Sequence, residues 1–374
     1  MTQVVISGSG VFTPENVITN DELVVAFNAY VDNFNTDNAA DIAAGKVEAM
    51  DKSSAEFIDK ASGIQNRFVL NKSGVLDPKI MHPVLPLRSE DELSLMAEMA
   101  VKAATDALKK AGKKASDIDA VICAASNHER AYPAIAIEVQ EALGMDGFAF
   151  DMNVACSSAT FGIQAARDMI RGGSAGAILI VNPEICSAHL EWRDRDCHFI
   201  FGDVCTAIVL ESADTATSES QFEILDTRCI TQFSNNIRND AGYLRRTREG
   251  HMQDRRDMLF RQEGRKVFRE VLPLVSKLIT SHLADNDMSA DDLSRLWLHQ
   301  ANKSMNDFIG AKVLGRTPEP HEQPNILQDY ANTSSAGSII AFSQNSDDLK
   351  SDDLGVICSF GAGYSAGSVI VKRV

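Results

Sequence analysis

The sequence predicts an α/β protein built from two similar halves. Three observations carry this. Apolar runs of strand length, such as Asp119–Ala125, alternate with amphipathic stretches of helix length, such as Leu93–Gly112. KKASDIDAVICAASN (113–127) is echoed by DMSADDLSRLWLHQAN (287–302): helix end, acidic turn, buried strand, polar residues. FGDVCTAIVLE (201–211) and FGAGYSAGSVIVKRV (360–374) each set a Phe-Gly turn before an apolar strand. The halves are expected at 1–211 and 222–374, joined through the small and polar residues Ser212–Gln221. One interleaved body is expected rather than two independent domains.

In chain order, Val4–Ser7 reads as a strand ending in a Gly8-Ser9-Gly10 turn, and Asp21 as the cap of a helix from Glu22. Ala29–Ser54 is polar, with helical stretches and no strand. Val69–Ser89 holds Pro78, Pro83 and Pro86 and reads as a loop. Ser89 and Glu92 suit a capping box for a helix over Leu93–Gly112, with Leu95, Met99 and Ala103 on its apolar face. Asp119–Ala125 is a strand buried on both faces. Pro133–Leu143 is helical. Phe148–Met152 is a strand leading to Cys156, and Ser157–Arg171 is a helix closed by Gly172-Gly173. Ala177–Val181 and Ala207–Leu210 are strands. In the second half, Lys266–Leu283 is a long amphipathic helix and Ile339–Phe342 a short apolar one.

The 374 residues include 36 Lys and Arg against 52 Asp and Glu, a net charge of −16. That balance disfavours a phosphate backbone as partner, so no nucleic acid is expected. The seven cysteines are scattered without a C-x-x-C pair. No disulfide framework and no metal site are expected, and reduced thiols suit a cytoplasmic protein. The first residues lack a signal-peptide pattern, and no apolar run is long enough for a bilayer, so no membrane association is expected.

Cys156 lies between a strand and a helix of small residues, in DMNVACSSATFG. The helix start offers unpaired N–H groups and a positive dipole end that stabilise a thiolate. His299 ends a buried strand in LWLHQAN, and Asn332 lies in the small-residue turn NTSSAGS. Taken singly, each has a plain structural reading: a small core cysteine, a hydrogen-bonded core histidine, a turn or N-cap asparagine. The other six cysteines read as core. It is the ordered set, closed by the Gly-rich FGAGYSAGS, that points to chemistry.

That set resembles the β-ketoacyl–acyl-carrier-protein synthase III family of the thiolase fold. SGSGVFTPENVITNDEL, SAEFIDKASGIQNRF, HERAYPAIAIEVQEALG and DRDCHFIFGDVCTAIVLE match in order and spacing too, so the resemblance covers nearly the whole chain. It implies a five-layered αβαβα body of two duplicated halves. It also implies a decarboxylative Claisen condensation of an acyl-CoA primer with malonyl-acyl-carrier protein in fatty acid or related acyl-chain synthesis. Cys156 would carry the acyl group as a thioester. Neutral His299 and Asn332 would donate to the enolate oxygen, and the backbone N–H groups of Cys156 and Ala362 to the tetrahedral oxyanion. Phe57, Arg195, Tyr132 and Asn302 would bind substrate. Tyr132 would do so across a homodimer, closing the partner's acyl pocket. Acyl-CoA and the carrier protein would be substrates and partners, with no cofactor bound permanently.

The sequence departs from the family pattern in places. Phe57 and Ala61 stand where the family pairs Trp with Arg around the CoA adenine, while Arg195 keeps a basic group at the second contact. Ala362 replaces the usual glycine, which a backbone donor tolerates if φ is negative. Additional residues fall at about 29–52 and 71–88. Apolar residues of the second, Met81, Val84 and Leu85, are expected to line or lid a longer acyl channel, favouring a medium-chain primer around octanoyl. Arg265, Lys266, Arg269 and Lys303 are candidates for a carrier-protein patch. Competing readings are an acyltransferase without decarboxylation, a non-catalytic partner subunit, and a cysteine protease. The intact Cys156, His299 and Asn332 disfavour the second, and the α/β strand grammar disfavours the third.

Overall fold

The computed structural model describes residues 2–247 and 256–374. The first half supplies strands β1 (Val4–Phe12), β2 (Ala120–Ala124), β3 (Phe148–Met152), β4 (Ala177–Ile185) and β5 (Asp203–Ser212). The second supplies β6 (Phe222–Ser234), β7 (Leu293–Leu298), β8 (Leu354–Gly361) and β9 (Gly363–Arg373). Their hydrogen-bonded orders are β3-β2-β4-β5-β1 and β7-β8-β9-β6. Thus β6 repeats the place of β1, β7 of β2, β8 of β4 and β9 of β5. The senses repeat as well: β2 is parallel to β4 and β7 to β8, and the later pairs in each half are antiparallel. Among the described residues the second half has no counterpart of β3. In its place the Leu296 N–H donates to the Glu322 carbonyl at 2.7 Å. The two sets join over two positions, Val5 facing Glu223 and Ile6 facing Phe222.

The helices are α1 (Asn20–Asp37), α2 (Ala55–Ser62), α3 (Leu95–Ala111), α4 (Ile135–Leu143), α5 (Ser158–Arg171), α6 (Gly264–Ala284), α7 (Lys303–Leu314) and α8 (Gly337–Gln344). Ala159, Ile163 and Ala166 of α5 share one core with Ile339 and Ile340 of α8, with Ile122, Ile178 and Ile208 from the first strand set, and with Ile357 and Val369 from the second. So α5 and α8 form the middle layer. On the far side of the first set, Met99, Ala103 and Val139 of α3 and α4 pack on Val121, Leu179 and Val209. On the far side of the second, Val275, Ile279 and Ile309 of α6 and α7 pack on Leu296, Val356 and Ile370. This is the five-layered arrangement, and it explains why every residue of β2 is buried: a strand covered on both faces must be apolar throughout.

A fourth core caps the strand ends that carry the site. Phe27 of α1, Ile58 of α2, Met81, Trp192 and Phe199 meet there. Arg67 is fully buried in this cap. It donates to Asn20 Oδ1 at 2.7 Å and to the Ile18 and Phe199 carbonyls at 3.3 and 3.4 Å. Burial without a carboxylate partner pushes its guanidinium down to about 9.

Three local expectations are corrected. Gly8-Ser9-Gly10 is the middle of β1, not a turn; a Cβ on Gly8 would stand 2.3 Å from the Ala107 carbonyl oxygen, so glycine lets α3 lie on the strand. The cap of α1 is Thr19 rather than Asp21: Thr19 Oγ1 accepts from the Glu22 N–H at 3.2 Å, and Glu22 returns the bond to the Thr19 N–H at 3.0 Å. Helix α3 starts at Leu95, capped by Ser94. Ser89 and Glu92 close a separate turn, while Glu138 of α4 fixes the true start by accepting from Ser94 N and Oγ at 3.1 and 2.7 Å.

Candidate active site

Cys156 lies between β3 and α5, directly before the Ser157 N-cap. The preceding Ala155 takes a left-handed φ of 47°, which turns the chain sharply out of the strand. Gly361, the last residue of β8, passes over the thiol: a Cβ there would sit 2.6 Å from Cys156 Cβ and 3.0 Å from Sγ. The duplicated halves therefore touch at the sulfur. The backbone N–H groups of Cys156 and of Ala362, next after Gly361, both bond toward the thiol. Ala362 has negative φ, so the methyl group costs the backbone nothing.

His299 follows β7, its N–H donating to the Cys358 carbonyl at 2.7 Å and its ring standing edge-on to Phe360 at 5.2 Å. Gln300 pins the loop behind it, donating to Leu298 O at 2.8 Å and accepting from Ile326 N at 3.1 Å. Asn332 crosses to the first half: its N–H donates to Ile200 O at 2.9 Å and its carbonyl accepts from Gly202 N at 3.2 Å. Its Oδ1 accepts from the Ser334 N–H at 2.8 Å, which leaves the amide NH₂ as the free donor. Cys156, His299 and Asn332 line one cavity.

The electrostatics correct one expectation. Desolvation pushes the Cys156 thiol up to about 11, and Glu184 pushes the same way. The Ser334 hydroxyl, donating to Sγ at 3.4 Å, and the two backbone N–H groups oppose this and lose. Burial likewise holds His299 down to about 4, against a backbone hydrogen bond to Ser334 that raises it. The resting pair is thus a thiol and a neutral imidazole. The helix start alone does not hold a thiolate.

Two cavities share Cys156, Phe201, Ile237 and Phe260 as walls. One, of about 270 Å³, reaches from Phe57, Phe268 and Asn302 to His299 and Asn332. The other, of about 250 Å³, lies toward Asn127, Asn153, Cys186 and His189, with Ser334 and Ala362 beside the sulfur. At the first, the Arg195 guanidinium stacks over the Phe57 ring at 4.1 Å, and Asn302 donates to the Ala61 carbonyl at 2.7 Å while capping α7. Tyr132 is 85% exposed and lines neither cavity. Nor do Met81, Val84 and Leu85: Met81 is buried in the cap core and Val84 faces outward. That expectation is overturned, because the cavity walls come from the 186–201 segment and from Ile237 and Phe260 instead.

Arg265 and Arg269 are exposed on α6, Lys266 pairs with Glu263, and Lys303 pairs with Asp307 at 2.7 Å. Cys123, His128 and Asp151 bring ligand-type atoms within 4.8 Å of one another, but Asp151 is engaged by the Ile135 and Ala136 N–H groups at the start of α4. Sequence reasoning missed Ser334 and Glu184. The second had a visible signal, a single acid inside the apolar run AILIVNPEI.

A cysteine, a neutral histidine and an asparagine converging from two duplicated halves define a thiolase-fold acyl-transferring condensing enzyme. The models for 3-oxoacyl-[acyl-carrier-protein] synthase III and for its C-terminal part match residues 150–232 and 283–373. The chain is 59% identical, over 93% of its length and 99% of the relative's, to the β-ketodecanoyl-[acyl-carrier-protein] synthase of Pseudomonas aeruginosa. It is 33% identical, over 73% of its length and 83% of the relative's, to a β-ketoacyl-[acyl-carrier-protein] synthase III of Acidiphilium cryptum. The crystal structure of 3-oxoacyl-(acyl carrier protein) synthase III from Pseudomonas aeruginosa shares the fold with a TM-score of 0.76 at 23% identity, over 99% of this chain and 98% of that one. The chain belongs to the 3-oxoacyl-[acyl-carrier-protein] synthase III family.

Proposed function

We propose that the protein condenses a medium-chain acyl-CoA, around octanoyl, with malonyl-acyl-carrier protein. The products are CO₂, free CoA and a β-ketoacyl-carrier protein. The sulfur of Cys156 attacks the primer thioester, CoA leaves as its thiol, and the acyl group rests on Cys156. Loss of CO₂ from the malonyl group leaves an enolate, whose oxygen takes hydrogen bonds from the neutral His299 imidazole and the Asn332 amide. The enolate carbon attacks the acyl-Cys156 carbonyl, the N–H groups of Cys156 and Ala362 hold the oxyanion, and its collapse breaks the C–S bond to release the Cys156 thiolate, which takes a proton from water to restore the thiol. The nucleophile belongs to the half spanning 1–211 and the enolate donors to the half spanning 222–374.

The observation that carries this reading is the sulfur at the meeting of two cavities, with donors aimed at it from both halves. One cavity suits the thioester arm, with Phe57 and Arg195 at its mouth and Asn302 on its wall; the other suits the acyl chain. The 59% identical relative is named for a ten-carbon β-ketoacyl product, which two malonyl carbons and an eight-carbon primer would give. Carrier protein would dock at Arg265 and Arg269. Exposed Tyr132 suits a partner subunit's pocket in a homodimer. Among the described residues no helix is long and apolar enough to cross a membrane, and we place the reaction in the cytoplasm. Competition between acetyl-CoA and octanoyl-CoA for labelling of Cys156, read by intact mass, tests the primer. Octanoylation is expected to predominate at equal concentrations; predominant acetylation refutes the medium-chain reading.

A further inference from the structure

We propose that Glu184 is a positioning residue: its buried carboxyl, gripped by Ser126 and Ser335, holds the Asn332–Ser335 turn against the end of β2 and so aims Asn332 and Ser334 at the Cys156 sulfur. The inference rests on the reading of Asn332 as an enolate donor.

Glu184 stands near the end of β4 and is 1% exposed. Its carboxyl collects donors from two separate loops. Oε1 accepts from the Ser126 N–H at 2.9 Å, from the Ser335 N–H at 3.2 Å and from the Ser335 hydroxyl; Oε2 accepts from the Ser126 hydroxyl at 2.5 Å. The Cys186 thiol adds a weaker contact at 3.8 Å. Ser126 follows β2 in the first half, while Ser335 belongs to the second-half turn whose Ser334 takes a φ of 49°. That turn is strained, and it carries two side chains of the site: Asn332, which lines the Cys156 cavity with its Oδ1 held by the Ser334 N–H, and Ser334, whose hydroxyl donates to the sulfur. An acid buried this completely is costly unless its hydrogen bonds do something an apolar residue would not.

The grip survives a change of protonation. As a carboxylate, Glu184 accepts from the Ser335 hydroxyl. As an acid, it donates to Ser335 Oγ, whose own proton turns to the Ala124 carbonyl at 3.2 Å. Burial pushes Glu184 up to about 7, with the four serine bonds opposing. The other titratable groups around it are the thiols of Cys123, Cys186 and Cys205, all pushed upward by burial, with Asp203 acting on Cys186 from β5. The charge of Glu184 bears on Cys156 and pushes the thiol upward.

Glu184→Gln keeps shape and burial but offers an NH₂ where a serine donor expects an acceptor. The kcat for condensation is expected to fall by about tenfold with KM for malonyl-carrier protein little changed, because aim is lost rather than binding. Alkylation of Cys156 by iodoacetamide at fixed pH is expected to slow by about three- to tenfold with its pH midpoint moved up, because the Ser334 hydroxyl is no longer held on the sulfur and that contact outweighs the opposing Glu184 charge. A lower kcat together with a raised alkylation midpoint is the signature. If kcat stays at the wild-type value, or the pH midpoint of alkylation stays put or falls, the inference is overturned. Ser335→Ala repeats the test should the glutamine variant not fold: kcat drops with KM unmoved, and a wild-type kcat overturns the inference. Should the wild-type enzyme fail to turn over malonyl-carrier protein, the proposed function fails; the alkylation arm still judges Glu184.

Discussion

Gly361→Ala isolates the contact between the two halves at the sulfur. Its φ is negative, so alanine brings no backbone strain and the whole effect is steric. The new methyl carbon would lie 2.6 Å from Cys156 Cβ and 3.0 Å from Sγ, where carbon atoms pack at about 3.5–4.0 Å. Relief requires the two chains to part by roughly 1 Å. Neither side yields easily: Gly361 is paired with Ser365 across β8 and β9, and Cys156 follows a left-handed residue. Overpacking of this kind costs about 1–3 kcal/mol, and a 1 Å error at a reacting atom costs on the order of 10²-fold in rate. The expectation is a folded protein, with Tm lower by a few degrees, that acylates Cys156 from octanoyl-CoA about a hundred times more slowly. The time course of the intact-mass adduct measures the rate, and a thermal melt controls for folding. Acylation at the wild-type rate would refute the packing argument.

Cys156→Ala is expected to abolish acyl transfer while retaining some malonyl decarboxylation, since His299 and Asn332 remain; condensation at wild-type rate in a coupled assay would remove Cys156 as nucleophile. His299→Ala and Asn332→Ala are each expected to lower decarboxylation by about 10²-fold or more and to spare self-acylation, measured as CO₂ release against adduct mass. Reversal of Arg265 and Arg269 to Glu is expected to raise KM for malonyl-carrier protein and leave acyl-CoA loading unchanged; an unmoved KM discards that patch. In acid, His189, His198 and His299 stay neutral to about pH 4 in the fold, while unfolded histidine takes up a proton below about 6.5, so their stability contribution is lost as pH falls from 6.5 to 4. Glu184 and Asp203, raised to about 7 and about 6, work oppositely and favour the fold as pH falls through those values. His282, also lowered by burial, joins these histidines and they outweigh the two acids, so stability is expected to fall as pH drops from roughly 6 to 4.5, and chemical denaturation across that range measures it.

The residues legible in the sequence were those whose signal is local. Cys156 before a small-residue helix, His299 after an apolar strand, Asn332 in NTSSAGS and Ala362 in the last Gly-rich turn each stand in a short recognisable stretch. The repeated strand grammar showed the duplication because burial on both faces leaves an apolar run. What stayed hidden depends on residues distant in sequence. Ser334 reaches Cys156 across 178 positions, and Glu184 reaches Ser335 across 151. The start of α3 follows Glu138, 44 residues away, rather than the nearer Ser89 and Glu92. The protonation of the Cys156 thiol is hidden from the sequence for the same reason. A helix start is visible in sequence, whereas the desolvation that outweighs it comes from chain brought in by the fold.

The short pairing of β1 with β6 marks a seam with the proposed reaction divided across it. A cut between Ser212 and Phe222 would leave one fragment with the nucleophile and another with the proposed enolate donors, and because α5 and α8 share one core across the seam, neither would be acylated or catalytic by itself. Turnover would then report reassembly. Two tagged fragments, brought together by any pair of interacting proteins fused to them, would form carbon–carbon bonds only while those proteins were associated.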